Sequence, residues 1–170
     1  GLETDQYVIS DEVKEIGRQP FINYFVRIVI PESVISIADY AFDYYYHNGG
    51  LYSSLEEIVI GNGVETIGKS AFSNCPNLKN VTLGNNVETI GSAAFAECSN
   101  LKNLTLGNNV KVIGSIAFWG CTELKSITLP ASIEEIGDAA FAGTGLTDVY
   151  CKAQTPPRIY QPENVFVYGN

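Results

Sequence analysis

The sequence is poor in the residues that most metal sites, catalytic sites and nucleic-acid-binding surfaces require. Its 170 residues contain no methionine, one histidine (His47), and ten lysine and arginine residues against nineteen aspartate and glutamate residues. The net charge of −9 and the scattered basic residues argue against binding to nucleic acid or to an anionic membrane. No run of 18 apolar residues is present, so these residues contain no candidate transmembrane helix that would insert into a membrane.

The sequence motifs of common enzyme and cofactor sites give no signal that is independent of the repeat. There is no GxGxxG and no CxxC pair, and the single histidine lies far from the cysteines. Residues 63–70 (GVETIGKS) fit the spacing GxxxxGK[ST], but Gly68 occupies a position that is glycine in every regular unit, so we assign the match to the repeat. The nearest paired carboxylates are Glu56-Glu57 and Glu134-Glu135, and Glu134 shares a repeated solvent-facing position with charged residues of other units. We therefore expect a protein without enzymatic activity, metal or cofactor.

A repeat of about 23 residues runs through most of the chain. The leucines that open successive units are separated by 23, 23, 23 and 22 residues. Several other positions keep the same register, which predicts a solenoid in which each unit is one coil. The series are Leu55, Leu78, Leu101, Leu124 and Leu146 for leucine, Gly68, Gly91, Gly114 and Gly137 for glycine, and Phe72, Phe95, Phe118 and Phe141 for phenylalanine.

Each coil is expected to contain one strand, a turn and a short helical stretch. Val81 and Leu83 alternate with Asn80 and Thr82, which predicts a strand with one buried face. The glycine-asparagine turn that follows should use positive φ, which these residues tolerate. A helical or 3₁₀ stretch then carries the phenylalanine inward, and parallel strands about 4.8 Å apart make the core continuous.

Three of the four cysteines, Cys75, Cys98 and Cys121, recur at intervals of 23 residues. Such a column brings neighbouring Cα atoms within bridging distance, but parallel inward side chains lie alongside one another. We therefore expect buried free thiols, with a disulfide as the alternative. Cys151, near the end of the array, is expected to be the most accessible thiol.

The coil pattern, LxxIxIPxxVxxIGxxAFxxC, resembles that of the BspA-like (treponema-type) leucine-rich repeats of surface proteins from oral and gut anaerobic bacteria. The resemblance covers about Tyr7 to Cys151. It implies a repeat solenoid of the right-handed β-α superhelix type, with a parallel sheet on one side and about seven coils. We divide a single domain, 1–170, into a degenerate capping coil (1–24), a first full coil with an insertion (25–54), four regular coils (55–145) and a C-terminal capping segment (146–170), for which truncation is one alternative.

One coil breaks the spacing. The chain takes thirteen residues from Phe42 to Leu55 but six from Phe72 to Leu78, so seven are extra. The insertion is rich in tyrosine around two glycines, a composition favoured at binding surfaces. The alternative is that these tyrosines cover the core at the thin end of the array. The candidate ligand-binding residues here are Tyr44, Tyr45, Tyr46, His47 and Tyr52.

The resemblance implies an extracellular or cell-surface scaffold for adhesion or protein–protein interaction. The location comes from the resemblance, since these residues show no signal-peptide pattern. The expected partner is a host extracellular protein or a bacterial surface protein, held by the concave strand face and the insertion. The alternatives are a carbohydrate-binding module with exposed Tyr and Trp119, and a structural spacer. Alternation places these candidate residues on the strand face: Arg27, Glu57, Asn80, Thr82, Asn103, Thr105, Thr128 and Tyr150.

Overall fold

The computed structural model describes residues 6–18, 25–43 and 54–166. These residues form a β-solenoid of about six turns, and each turn places one strand on each of two sides of the stack. The strands are β1 (Gln6–Val8), β2 (Glu15–Ile16), β3 (Arg27–Ile30), β4 (Ser36–Ile37), β5 (Glu57–Ile60), β6 (Thr66–Ile67), β7 (Asn80–Thr82), β8 (Thr89–Ile90), β9 (Asn103–Thr105), β10 (Val112–Ile113), β11 (Ser126–Leu129), β12 (Glu135–Ile136), β13 (Asp148–Cys151) and β14 (Arg158–Ile159). One short helix, α1 (Pro162–Val165), follows them.

The first side of the solenoid carries the predicted parallel strands. A five-stranded sheet runs in the order β1-β3-β5-β7-β9, and a separate two-stranded sheet pairs β11 with β13. Equivalent residues lie side by side, with Ile58 between Ile28 and Val81. Ile58 is buried while its neighbours Glu57 and Val59 are half-buried, so the period-two pattern predicted for the strands is confirmed.

The second side carries a sheet that the sequence-based expectation of one sheet omitted. Seven two-residue strands pair in parallel in the order β14-β12-β10-β8-β6-β4-β2. Each strand of the regular coils buries an isoleucine, such as Ile67 or Ile90, against the core. The Gly91 N–H donates to the Ile67 carbonyl at 2.8 Å, which shows how each coil continues the ladder of the coil before it.

The expectation of a helical stretch in each coil is wrong. The phenylalanines lie in consecutive turns, and α1 is the single helix in the part of the chain that the structure describes. The Phe95 N–H donates to Ala117 O at 2.8 Å, in the next coil, and the Phe118 N–H donates to Ala140 O in the same way. Because these amides pair between coils, they are not available for the bonds within a coil that a helix requires.

Glycine is required at the turns for a different reason from the one predicted. Among the described residues, positive φ occurs instead at positions such as Ser70, Ala93 and Ile116. A Cβ on Gly61 would lie 2.8 Å from the Glu32 backbone nitrogen, and one on Gly91 would lie 2.7 Å from backbone of the preceding coil. At Gly61 and Gly91, glycine is present because adjacent coils approach too closely for a side chain, whereas Gly120 and Gly143 do have positive φ.

A column of stacked phenylalanine rings forms the centre of the core. Neighbouring ring centroids lie 4.8 to 5.6 Å apart, and the planes are within 9° of parallel. The column predicted from the repeat is therefore confirmed, and one ring was missed at its C-terminal end. Its members are Phe42, Phe72, Phe95, Phe118, Phe141 and Phe166.

The count of about seven coils is corrected to about six turns, and the C-terminal segment adds strands β13 and β14 to the stack. Strand β13 pairs with β11 but is exposed at all four residues. The Phe141 N–H donates to Val165 O at 2.9 Å, the role that alanine carbonyls have in earlier coils, and Phe166 stacks on Phe141. These last residues were missed because Phe166 follows Phe141 by 25 residues and not by 23.

The recurring cysteines are buried and free, as predicted, and Cys151 is exposed. The Cys98 thiol donates to Phe72 O at 3.2 Å and the Cys121 thiol donates to Phe95 O at 3.2 Å. A hydrogen bond with Cys98, and burial, raise the pKa of the Cys75 thiol, and burial raises that of Cys121. The Cys75 and Cys121 thiols therefore stay protonated at neutral pH.

Removing a ring from the middle of the phenylalanine column should lower the free energy of unfolding more than removing the ring at its end. We expect Phe95→Ala to lower the free energy of unfolding by about 3 to 5 kcal/mol, because it leaves a cavity between two stacked rings. The measurement is urea unfolding followed by circular dichroism. Phe166→Ala, at a 39% exposed position, is the matched control and should cost less. Equal losses for the two variants would contradict a central role for the column.

The buried thiols give a second prediction. In the native protein a thiol reagent should label Cys151 alone, and after unfolding without reductant it should label all four cysteines. Stability should also fall as the pH rises past the ordinary thiol value of 9.0, because the unfolded state then releases protons that the folded state keeps. Two or fewer reactive thiols after unfolding would mean that a disulfide is present.

Candidate binding surface

Two rows of side chains project from the first side of the solenoid, because the parallel register sets equivalent residues side by side. The polar row consists of Gln6, Arg27, Glu57, Asn80 and Asn103. The valine-threonine row consists of Val8, Val29, Val59, Thr82 and Thr105. On β11 and β13, Ser126 and Asp148 extend the polar row, and Thr128 and Tyr150 extend the valine-threonine row.

Side-chain hydrogen bonds connect the polar row. The Arg27 guanidinium donates to Gln6 Oε1 at 2.5 Å and to Glu57 Oε2 at 2.8 Å. The Asn103 amide donates to Asn80 Oδ1 at 2.7 Å. Arg27 and Glu57 therefore neutralise each other, and the charge that the sequence placed at this end of the face is compensated within the protein.

The valine-threonine row changes in character along the stack. Val8 is 56% exposed, and Val29 and Val59 are half-buried, so the N-terminal end presents an aliphatic strip. Thr82 and Thr105 follow with exposed hydroxyls. The surface thus offers apolar contact at one end and hydrogen-bonding groups farther along.

The tyrosine-rich insertion lies outside the described residues. Tyr44, Tyr45, Tyr46, His47 and Tyr52 therefore stay predictions, both in position and in role. The residues on either side of the insertion are described and both contact the stack. Asp43 is buried and accepts a hydrogen bond from the Ser73 hydroxyl, and the Ser54 hydroxyl donates to Phe25 O at 3.3 Å.

The first side is interrupted between β9 and β11, which the sequence did not predict. These strands belong to separate sheets, and a groove of about 350 Å³ lies between them. Leu104 and Leu106 are half-buried there, whereas Val81 and Leu83, one coil earlier, are 1% and 4% exposed. The groove is lined by Leu104, Thr105, Leu106, Asn108, Ser126, Ile127, Thr128, Pro130 and Lys152.

The second side presents the charged position that recurs in the repeat. Glu65, Glu88 and Glu134 are exposed, as expected for solvated charges. The Lys111 ammonium lies 2.9 Å from the Glu88 carboxylate, and this hydrogen bond raises the pKa of Lys111. The pairing is on the surface, so it adds little to stability.

Among the described residues, the exposed rings of Tyr150, Tyr160 and Trp119 lie on different parts of the solenoid. Tyr150 is 60% exposed on the first side, while Tyr160 follows β14 on the second side and is 46% exposed. Trp119 is 43% exposed and lies in the turn after Phe118. A single sugar could contact one of these rings but would not reach a cluster of them.

The described part of the chain contains neither a metal-binding cluster nor a membrane-spanning helix. Residues 6–18, 25–43 and 54–166 contain no group of three or more His, Cys, Asp or Glu side chains that could hold a metal ion. Within the same ranges, no helix has the length and apolarity needed to span a bilayer. The chemistry available along the two rows is hydrogen bonding and aliphatic contact.

Sequence reasoning missed the groove residues Leu104, Leu106 and Lys152. Leu104 and Leu106 occupy the same repeat positions as Val81 and Leu83, so no signal in the sequence separates them. The one available signal was a lysine directly after β13 in an acidic chain, and a residue beyond the repeat has no equivalent for comparison.

Comparison with known proteins agrees with this architecture. The model of a family described as the BspA type Leucine rich repeat region matches residues 2–48 and 51–161 in six copies. None of the curated proteins matches the chain. A solved structure of the Treponema pallidum leucine-rich repeat protein TpLRR aligns over 100% of this chain and 86% of that chain, with 20% identity and a TM-score of 0.68.

Two further solved structures are longer. A leucine-rich repeat protein from Eubacterium ventriosum aligns over 94% of this chain and 46% of that one, with 22% identity and a TM-score of 0.66. A leucine rich cell surface protein from Faecalibacterium prausnitzii aligns over 85% and 44%, with 26% identity and a TM-score of 0.57. The chain thus spans less than half of these two proteins. Since the family model covers most of its length, the chain belongs to the BspA-type leucine-rich repeat family.

Proposed function

We propose that this chain is a non-enzymatic binding scaffold, outside the cell or on its surface, that holds a partner protein through the first side of the solenoid. The observation that carries the proposal is the pair of outward rows kept in register by the strand ladder. Membership of a family of protein-interaction and adhesion scaffolds supports it. The similar Faecalibacterium prausnitzii protein is described as a cell surface protein, which supports the location.

The rows combine the two kinds of contact that protein interfaces use. The aliphatic strip of Val8, Val29 and Val59 supplies apolar area, and Thr82 and Thr105 supply hydrogen bonds. These side chains stand on strands whose inward residues are packed in the core. A surface fixed in this way loses little conformational entropy on binding, which favours affinity.

The tyrosine-rich insertion adds to this surface in the proposal. The described residues that flank it are Asp43 and Ser54, and Ser54 precedes by three residues strand β5 with its outward residues Glu57 and Val59. Tyrosine side chains bury a large area and lose little rotamer entropy, so they serve well as interface anchors. A host extracellular protein or a bacterial surface protein is the proposed partner.

Charged substitutions on the first side should weaken partner binding without unfolding the protein. We expect Asn80→Arg with Thr82→Arg to weaken binding to immobilised host extracellular-matrix proteins at least about tenfold, because two cations crowd the centre of the rows. Thr66→Arg with Thr89→Arg, on β6 and β8 of the second side, is the matched control. Surface plasmon resonance gives the affinities and thermal unfolding checks the fold.

Equal binding by both double variants would show that the first side is not the contact surface. A glycan array run with the same domain tests the carbohydrate alternative, and specific glycan binding with no protein binding would favour it. Binding to neither class would leave the structural spacer as the better description.

Shortening the insertion should reduce binding but not stability. We expect that replacing residues 44–52 with the short connection of the next coil lowers affinity for the same partner and leaves the unfolding midpoint unchanged, because a segment that exceeds the repeat length is expected to lie outside the stack. Measuring both the affinity and the unfolding midpoint distinguishes tyrosines that contact a partner from tyrosines that cover the core. A sharp fall in the midpoint would show that they cover the core.

A further inference from the structure

We propose that the groove between β9 and β11 binds a short, extended peptide segment that carries a carboxylate. The proposal rests on the proposed function and deepens it, since Thr105 and Thr128 line the groove and also belong to the outward rows. It names a ligand chemistry for one part of that surface.

The first argument is a missing backbone hydrogen bond. In four other coils, the first residue of the strand donates to a carbonyl of the preceding coil at 3.0 to 3.2 Å. The equivalent bond, from the Ser126 N–H to the Lys102 carbonyl, is absent among the bonds of the described residues. The four bonds that are present join Glu57 to Val26, Asn80 to Glu56, Asn103 to Lys79 and Asp148 to Lys125.

The peptide groups of successive residues in a strand point alternately to its two sides, and this alternation shows which groups face the groove. Thr105 O accepts a bond from the Leu83 N–H at 2.9 Å, so the alternate residue, Leu104, turns its N–H and C=O away from β7. On the opposite wall, Leu129 O accepts from the Lys152 N–H at 3.1 Å, so Thr128 turns its own groups away from β13. Both strands therefore turn unpaired peptide groups toward the groove, and an extended peptide that lies along its opening can form hydrogen bonds with them.

Side chains define the rest of the groove. The half-buried Leu104 and Leu106 form an apolar floor that receives an aliphatic side chain of the ligand. Hydroxyls of Thr105, Ser126 and Thr128 stand on the walls. The volume of about 350 Å³ lies at the lower end of the range for ligand pockets, so the ligand segment is a few residues long.

Charge selects the kind of peptide. Lys152 is the one charged residue among those that line the groove, and it forms none of the five ion pairs of the described residues. The groove is therefore locally positive in a chain of net charge −9. This complementarity favours a segment with a carboxylate that reaches Lys152.

Hydrogen exchange tests whether the ladder is open in solution. In the free domain, the Ser126 amide should exchange at least about tenfold faster than the Asn103 and Asp148 amides, which occupy the same place in neighbouring coils. Equal protection at the three positions would mean that β9 and β11 are paired, and would overturn the proposal.

Peptide titration tests the ligand class. The probe is acetyl-Val-Glu-Val-amide, with acetyl-Val-Gln-Val-amide as its uncharged match, added to the ¹⁵N-labelled domain. We expect shifts at the amides of Leu104, Ser126 and Thr128, and affinity about tenfold weaker for the glutamine peptide. Lys152→Gln should remove the difference between the peptides, and Lys14→Gln, an exposed lysine in another coil, should preserve it.

Absence of shifts at those amides, or a Lys152→Gln variant that still prefers the glutamate peptide, would overturn the groove proposal. The Asn80→Arg and Thr82→Arg double variant separates this result from the proposed function, because β7 does not line the groove. Peptide shifts that persist in that variant support the groove, whatever the variant does to adhesion. If the double variant loses adhesion and the wild-type domain shows no peptide shifts, the groove proposal is overturned and the proposed function is not.

Discussion

Backbone pairing between successive coils is the constraint on which the rest of this structure depends. Peptide groups of the strands, of the glycine turns and of the phenylalanine turns bond to a neighbouring coil, as in the bonds from Gly91 to Ile67 and from Phe95 to Ala117. This pairing fixes the distance between coils, and that distance excludes a Cβ at glycines such as Gly91. It also sets the spacing of the phenylalanine rings and leaves each buried thiol next to a carbonyl of the coil before it. Packing, turn chemistry and thiol chemistry therefore follow from one repeated geometry.

The same constraint explains why the outward rows are suited to binding and the inward positions are not. Inside the stack every coil must repeat nearly the same side chains, because each one packs against its equivalent one coil away. On the outside, equivalent side chains contact only solvent and their neighbours in the row. The residue type can therefore vary, from valine to threonine to tyrosine along the valine-threonine row. Variation confined to one side of a rigid framework is the condition under which a repeat protein can acquire a specific partner.

The sequence predicted those features that repeat, and it failed where the repeat carries no information. The period gave the coil, the buried strand face, the phenylalanine column and the free thiols, since each depends on residue types that recur. The second sheet was missed because two-residue strands produce almost no alternation to detect. Helical turns were expected where amides such as that of Phe118 bond to the next coil instead, a choice that local propensity does not determine. The groove beside Leu104 could not be predicted, because Leu104 is an aliphatic residue at the same repeat position as Val81, which is buried.

The near-identical geometry of neighbouring coils has a consequence for how such a protein changes its length. The ring spacings of 5.2, 5.4 and 5.4 Å from Phe72 to Phe141 show that one coil presents nearly the same upper and lower surface as the next. Duplicating or deleting a block of one period therefore brings together two coil surfaces of the kind that already pack in this protein. The side chains between them need no new packing arrangement. Each added block widens the exposed sheet by one strand, about 4.8 Å. Gene segments that encode single coils can thus be gained or lost by recombination, and the size of the surface can be adjusted to a partner independently of its chemistry.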